Sequence, residues 1–328
     1  MNSFDCSTVR EIRDQPAIVH CSTVAEAATG DAVCIWYEGA YETSSDTVLR
    51  MARLPSDAGA EWQAARTIVD LHGVPLGNPV VWQDPDGPLR LVFSVLLGES
   101  WTESLLFETQ STDGGASWNN PSLFQPRRGF MAKTRPISAQ GRLVFPLYHE
   151  TTYCPYVMII DDTSRPADAA LVAETMARGK AIQPVIVPLS DGRLMMLCRT
   201  NQGTIWKSVS HNAGFSWTIC RPTTLANPDS ALDLIRLQGG ELLLALNNSR
   251  HSRRELQVAL SPDDGETWTH CRSVARGDGE YSYPSLVARR DGTVLLSYTE
   301  DRYMIRACRF DLDWLLAGPL ERPLKTDE

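Results

Sequence analysis

The chain predicts an all-β fold, a six-bladed β-propeller with four-stranded antiparallel blades, and three recurring patterns predict it. The first is a turn. STDGGASW (111–118), SHNAGFSW (210–217) and SPDDGETW (261–268) each place Asp or Asn two residues before a Gly and Trp three residues after it. PSDAGAEW (55–62) is a worn copy. The four tryptophans, Trp62, Trp118, Trp217 and Trp268, are 56, 99 and 51 residues apart, so the middle interval spans two units and one copy has eroded near TSRPADAA (163–170). The second pattern is a Gly followed by an apolar run, at Gly30, Gly87, Gly141, Gly192, Gly240 and Gly292, in steps of 57, 54, 51, 48 and 52. The third is a further apolar run ahead of each, opened by Pro16, Pro79, Pro136, Pro184 and Pro284, with SALDLI from Ser230 in that place in the fifth unit.

Each unit therefore reads as strand, turn, strand, then two more strands, with the S-x-D-x-G-x-x-W turn between the last two. Runs of four to eight residues rich in Val, Ile and Leu, bounded by Gly, Pro, Asp and Asn, are strand signals. A period of about 50 residues with four strands per unit is a propeller signature. Six units fill residues 1–328 as a single domain, with RACRFDLDWL (306–315) closing the ring against the N-terminus. Helical periodicity is nearly absent. Within the turns the Asp or Asn oxygen accepts backbone N–H bonds, Gly supplies positive φ, and Trp packs between blades, so these boxes are scaffold.

Composition narrows the function. The 328 residues are 43% hydrophobic and 22% charged, an ordinary globular balance. No stretch approaches the roughly 18 apolar residues that a membrane span needs. MNSFDCSTVREIRDQP lacks a basic n-region and an apolar run, so the expected location is cytoplasmic unless a leader was trimmed. A net charge of −9 argues against general binding to nucleic acid or anionic membrane. The eight cysteines form no CxxC pair and no zinc-like spacing, and read as buried reduced thiols. Cys220 and Cys271 each follow a motif Trp by three residues and occupy equivalent positions. The histidines are scattered, so no metal is expected, and nothing implies a cofactor.

Antiparallel hairpins bring the start of a first strand and the end of a second to the same end. Applied to six blades, this gathers Gln15, Asn78, Arg135, Gln183, Ser230 and Tyr283 with Glu38, His149, Glu150, Arg199, Asn247, Tyr298 and Glu300. So many polar groups suit either a polar ligand or a hydrogen-bonded, water-filled plug.

The boxes, together with IQPVIVPLSDGRLMMLCRT (182–200), NPDSALDLIRLQGGELLLALNN (227–248) and EYSYPSLVARRDGTVLLSYTEDR (280–302), resemble the sialidase (neuraminidase) superfamily and its BNR-repeat proteins over essentially the whole chain. The resemblance implies a small acidic saccharide, or another small anion, as partner. It maps Arg199 and Arg253 onto the second and third of three carboxylate-binding arginines. The first is replaced by Asp14-Gln15-Pro16, and Lys133 and Arg135 are candidates for substitute charge. Tyr283, in Tyr-Pro-Ser-Leu, matches the tyrosine nucleophile. Its expected glutamate partner is Gln183, which cannot act as a base, so Glu280 or His149 is the stand-in. The acid/base is expected on the loop YEGAYETSSDTV (37–48), as Glu42 or Asp46. His149 reads either as a general acid/base or sugar ligand, or as a structural histidine, and Gln15, Asn78 and Gln183 as substrate-binding residues. The implied activity is an exo-acting, sialidase-like glycoside hydrolase. The alternatives are a non-hydrolytic enzyme such as a uronate lyase, or a sugar-binding propeller without turnover.

Overall fold

A computed structural model describes residues 3–12, 17–161, 170–174 and 180–318. Gln15 and most of the eroded box near 163–170 lie outside the described residues. The fold is an all-β six-bladed β-propeller with four-stranded antiparallel blades. Its contacts sort into two compact units, one holding Lys133–Ser282 and the short helix Leu312–Ala317, the other Phe4–Ala132 and Tyr283–Phe310.

In the second of these units, one sheet runs Ile18–Glu26, Ala32–Gly39, Val48–Leu54, Arg66–Val69, and another runs Leu76–Gln83, Leu89–Leu96, Ser104–Ser111, Ser122–Gln125. A third is built from Val294–Glu300 and Met304–Phe310, flanked by Tyr281–Ala288 and by the N-terminal strand Phe4–Glu11. The Lys133–Ser282 unit repeats the plan. Its sheets follow Ile137–Ala139, Arg142–His149, Cys154–Ile160, Ala170–Glu174, then Ala181–Pro188, Leu194–Thr200, Thr204–Ser210, Arg221–Ala226, then Asp233–Arg236, Leu242–Leu246, Glu255–Ser261, His270–Arg276. The middle strands are buried on both faces, which explains their continuous apolar runs in place of a strict alternation.

The boxes sit between the third and fourth strands and work as their sequence implies. Asp113 accepts hydrogen bonds from the Ser117 N–H (2.8 Å), the Ser117 hydroxyl (2.6 Å) and the Ser111 hydroxyl (2.7 Å), while Gly115 turns the chain at φ +89°. The same bonds recur at Asp263, and at Asn212 with one reversed, the Asn212 amide donating to the Ser216 hydroxyl (2.9 Å). Donation from Ser117 holds the Asp113 carboxyl well below the usual carboxylate range. Each box tryptophan then packs into a core formed by two neighbouring sheets. Trp62 joins the cluster of Val19, Trp36 and Leu295, and Trp118 that of Ile35, Leu49 and Phe93. Trp217 joins Val144, Ile186 and Met196, and Trp268 joins Leu197, Leu232 and Leu244.

At the chain ends one reading holds and one changes. The segment RACRFDLDWL closes against the N-terminus as expected, its strand Met304–Phe310 pairing with Phe4–Glu11, and beyond Phe310 Asp311 accepts from the Trp314 N–H (2.8 Å) and caps a six-residue helix. The cysteines are not all reduced. Cys6 and Cys308 face each other in the register of the closing strand pair and form a disulfide at a sequence separation of 302, while the other six cysteines form no disulfide. Spacing along the chain cannot show this pairing, because only ring closure places the two positions side by side. Closing so long a loop constrains the unfolded chain, so reduction is expected to cost about 2–4 kcal/mol. The check is a lower urea midpoint under dithiothreitol for the wild type and no further loss for Cys6→Ser.

Candidate functional site

The positions that matter are set by a backbone irregularity. In three first strands the pairing slips, between His20 and Thr23, between Gly77 and Val80, and between Ile182 and Val185. The residues at these bulges, Cys21, Asn78 and Gln183, adopt φ of +58°, +42° and +49°, and Tyr283 on the strand Tyr281–Ala288 adopts +54°. None is glycine. A side chain held in the left-handed region costs about 1–2 kcal/mol, and such strain collects where a side chain must be aimed.

Asn78, Gln183 and Tyr283 are each followed by proline, the signal the sequence offers. In the Ile18–Glu26 strand that signal misleads. Pro16 selects Gln15, but the register places Cys21 six residues later as the counterpart of Gln183, and Tyr37, opposite His20, as the counterpart of Arg199, opposite Ile182. Glu38 instead bonds Arg10 (2.7 Å) and the Trp36 indole (3.3 Å).

Around Tyr283, in its own unit, stand a histidine and a second tyrosine. The His20 ring meets the Tyr283 ring edge-on, with centroids 4.4 Å apart, and lies 5.8 Å from the Tyr37 ring. His20 is buried, at 2% exposure. Burial raises the Tyr37 pKa well above its ordinary value, and Glu42, Cys21 and Tyr283 raise it further against an opposing pull from Arg302. The Tyr37 hydroxyl is therefore neutral at physiological pH. Glu42 is ion-paired with Arg302 at 2.8 Å and belongs to this group. Asp46 serves its own loop instead. It accepts from the Ser44 hydroxyl and the Ala40 N–H (3.1 Å), and these bonds, Ser44 first, hold its carboxyl below the usual range. Asn78 accepts from the Cys21 thiol at 3.3 Å.

The Lys133–Ser282 unit holds the arginines. Arg199 donates from Nε to Asp229 (2.8 Å) and from Nη1 to the Gln183 side-chain carbonyl (3.1 Å). Arg253 donates from Nη1 to Glu280 (3.0 Å) and from Nη2 to the main-chain oxygen of Asp229 (2.6 Å). Arg135 pairs with Asp233 at 3.1 Å, and Lys133 is buried, at 4% exposure. Each candidate arginine thus faces an internal carboxylate. Glu280 is turned to Arg253. His149 Nδ1 accepts from the main-chain N–H groups of Thr151 and Thr152 (3.2 and 3.3 Å), which ties the ring into its own turn and leaves Nε2 to carry the proton. Within this unit the Tyr281 N–H bonds the Arg253 carbonyl (2.8 Å), and the Tyr281 carbonyl accepts from Asn247 (2.9 Å).

His20 and Asp229 are the residues the sequence analysis missed. His20 sits one residue before the bulge, which only the strand register locates. Asp229 is in NPDS, which reads as an ordinary turn. Among the described residues no cluster of three or more His, Cys, Asp or Glu side chains is arranged to hold a metal ion.

Comparison with known proteins gives one family and a consistent set of relatives. The profile of the BNR repeat-like domain matches residues 30–296. A sialidase of Micromonospora viridifaciens is 28% identical over 233 residues, covering 62% of this chain and 35% of its own, so the chain spans about a third of that relative's length. Among solved structures, the Hadza microbial sialidase Hz136 superposes with a TM-score of 0.81 at 18% identity, over 94% of this chain and 69% of that one. The intramolecular trans-sialidase of Ruminococcus gnavus, in complex with oseltamivir carboxylate, superposes with a TM-score of 0.76 at 15% identity, over 92% and 96%. At these identities the two superpositions speak for the fold alone.

Proposed function

Because the chain belongs to the BNR repeat-like domain family, we propose that it is a sialidase-like glycoside hydrolase that removes a terminal acidic sugar. The observation that carries this reading is Tyr283, a non-glycine residue held left-handed at φ +54° with the His20 ring edge-on against it. A phenol is a poor nucleophile at neutral pH unless a neighbour takes its proton, and Gln183 cannot.

Arg199 and Arg253, both of the Lys133–Ser282 unit, have the carboxylate-binding role in this reading, through their N–H donors. Tyr283 Oη attacks the anomeric carbon, its proton passing to His20, while Glu42 protonates the departing glycosidic oxygen. The resulting glycosyl-tyrosine is then cleaved by water. Glu42, now ionised, takes one proton from that water, the sugar leaves with a free anomeric hydroxyl, and His20 returns its proton to Tyr283. Glu42 fits the acid role better than Asp46 because it shares the Tyr37–Tyr283 environment, whereas the Asp46 carboxylate is engaged within its own loop by Ser44 and Ala40. The sialidase name of the Micromonospora viridifaciens relative supports the substrate class.

A second reading, binding without turnover, draws on the neutral amide at Gln183 and on the carboxylate partners of all three arginines. A mass-resolved product screen separates the two. It would present sialosides, related nonulosonic acids and uronate-capped oligosaccharides to the intact chain. Release of a free acidic sugar supports the hydrolase. A product lighter than that by one water points to elimination or anhydro-sugar formation. Binding with no product across the panel leaves a sugar-binding propeller.

A further inference from the structure

Asp229 sits against both candidate carboxylate-binding arginines. Its Oδ1 lies 2.8 Å from Arg199 Nε, and its main-chain oxygen accepts from Arg253 Nη2 at 2.6 Å, so one residue engages both guanidinium groups. The partner on Arg199 Nη1, Gln183, is a neutral amide. Exposure separates the two members of the pair. The Arg199 side chain is 13% exposed and that of Asp229 50%, which makes the arginine the fixed inner group and the carboxylate the outer one.

The backbone around Asp229 is built to present it. Asn227 clamps the segment, accepting from the N–H groups of Ser230 (3.2 Å) and Thr200 (3.3 Å) and donating to the Ser230 carbonyl (3.0 Å). Between these pinned points Asp229 adopts φ +56°, a conformation that Asp and Asn tolerate better than other side chains. The ends of the turn are fixed and its charged tip reaches outward.

Resting on the carboxylate-binding role proposed above for Arg199 and Arg253, we infer that Asp229 is a built-in counter-carboxylate that a substrate carboxylate must displace. A half-exposed ion pair is weak, so it can be exchanged. Being tethered, however, Asp229 competes at a millimolar-scale effective concentration. A small free anion such as acetate has no further contacts with which to win that competition. A sugar acid, held also through its ring and substituents, does. Asp229 is in this sense a specificity-determining residue. It suppresses simple anions and sets the affinity for acidic sugars below what the bare arginine pair would give.

The test is calorimetric titration of the intact chain with N-acetylneuraminic acid, its methyl ester and acetate. The proteins are the wild type, Asp229→Asn and Asp229→Gly, since both replacements suit a left-handed φ and either one suffices if the other folds poorly. The expected result is a dissociation constant for the acid about five- to tenfold lower in the variants, with acetate binding newly measurable and the uncharged ester unchanged. Adding Arg199→Ala should abolish the gain. Unchanged or weaker binding of the acid, an equal gain for the ester, or no binding of the acid to a folded variant would each overturn the inference. Because the readout is binding, it is independent of turnover. Tighter binding in the variants with no sugar released in the product screen would keep the inference and remove the hydrolase reading.

Discussion

Tyr283→Phe leaves a folded chain that binds the acidic sugar within a few-fold of wild type and releases it at least about 10³-fold more slowly. The substitution removes one oxygen and keeps the ring, which packs on the cluster containing Cys21, Ile35, Tyr37 and Phe93 and against the His20 edge, so the stability change is expected to be small. What is lost is the atom that attacks the anomeric carbon. The checks are single-turnover product release by mass spectrometry alongside calorimetric binding. His20→Phe, which keeps an aromatic ring of similar size but cannot accept a proton, is expected to lower turnover by about 10²–10⁴-fold with binding preserved. Retention of more than a tenth of wild-type turnover by Tyr283→Phe would sink the nucleophile role. A full effect of Tyr283→Phe with none from His20→Phe would keep the tyrosine and return the proton to some other group.

How much of this was legible in the sequence depended on whether the signal was local. The boxes at Asp113, Asn212 and Asp263 were readable because every atom that holds them lies within seven residues, and their tryptophans pack between sheets as their spacing implies. Asn78, Gln183 and Tyr283 were readable because proline follows each of them. Where Ser22 takes the place of that proline, the same rule chose Gln15 over Cys21, and the neighbouring His20 went unnoticed. The ion pairs of the arginines were invisible for a different reason. Asp229 is 30 residues from Arg199, and Asp233 is 98 from Arg135, so only the folded register brings each acid to its base. The Cys6–Cys308 disulfide is the extreme case, at a sequence separation of 302. Residue types could thus be read as candidates, but their charge state and availability are properties of the fold.

The same limit hides the group whose loss should cost the fold most. Arg90 lies within the apolar run LRLVFSVL and is 7% exposed, yet it donates to Asp84 (2.6 Å) and to Glu108 (2.9 Å), themselves 13% and 8% exposed. Asp84 also accepts from the Trp82 indole at 2.8 Å. Two carboxylates are thereby buried around one guanidinium. Arg90→Met keeps most of the side-chain volume and removes the charge, leaving both acids without this partner, so a loss of about 3–5 kcal/mol at pH 7 is expected. The loss should depend on pH, and its sign follows from Glu108. Burial raises the Glu108 pKa above the ordinary 4.5, and the Arg90 charge opposes that rise without cancelling it. The folded state therefore binds the Glu108 proton more tightly than the unfolded chain. Its contribution to stability is complete below pH 4.5 and is lost as the pH rises through the folded pKa. Without Arg90 that pKa moves higher, so the penalty of the variant should shrink between pH 8 and pH 5, when Glu108 takes up a proton and the uncompensated charge disappears. Adding Glu108→Gln to Arg90→Met should recover part of the loss at pH 7 and flatten its pH dependence. Urea midpoints of the wild type, the single variant and the double variant at three pH values read all of this directly. An equal loss at every pH, with no recovery in the double variant, would mean that Arg90 acts by packing and not by charge.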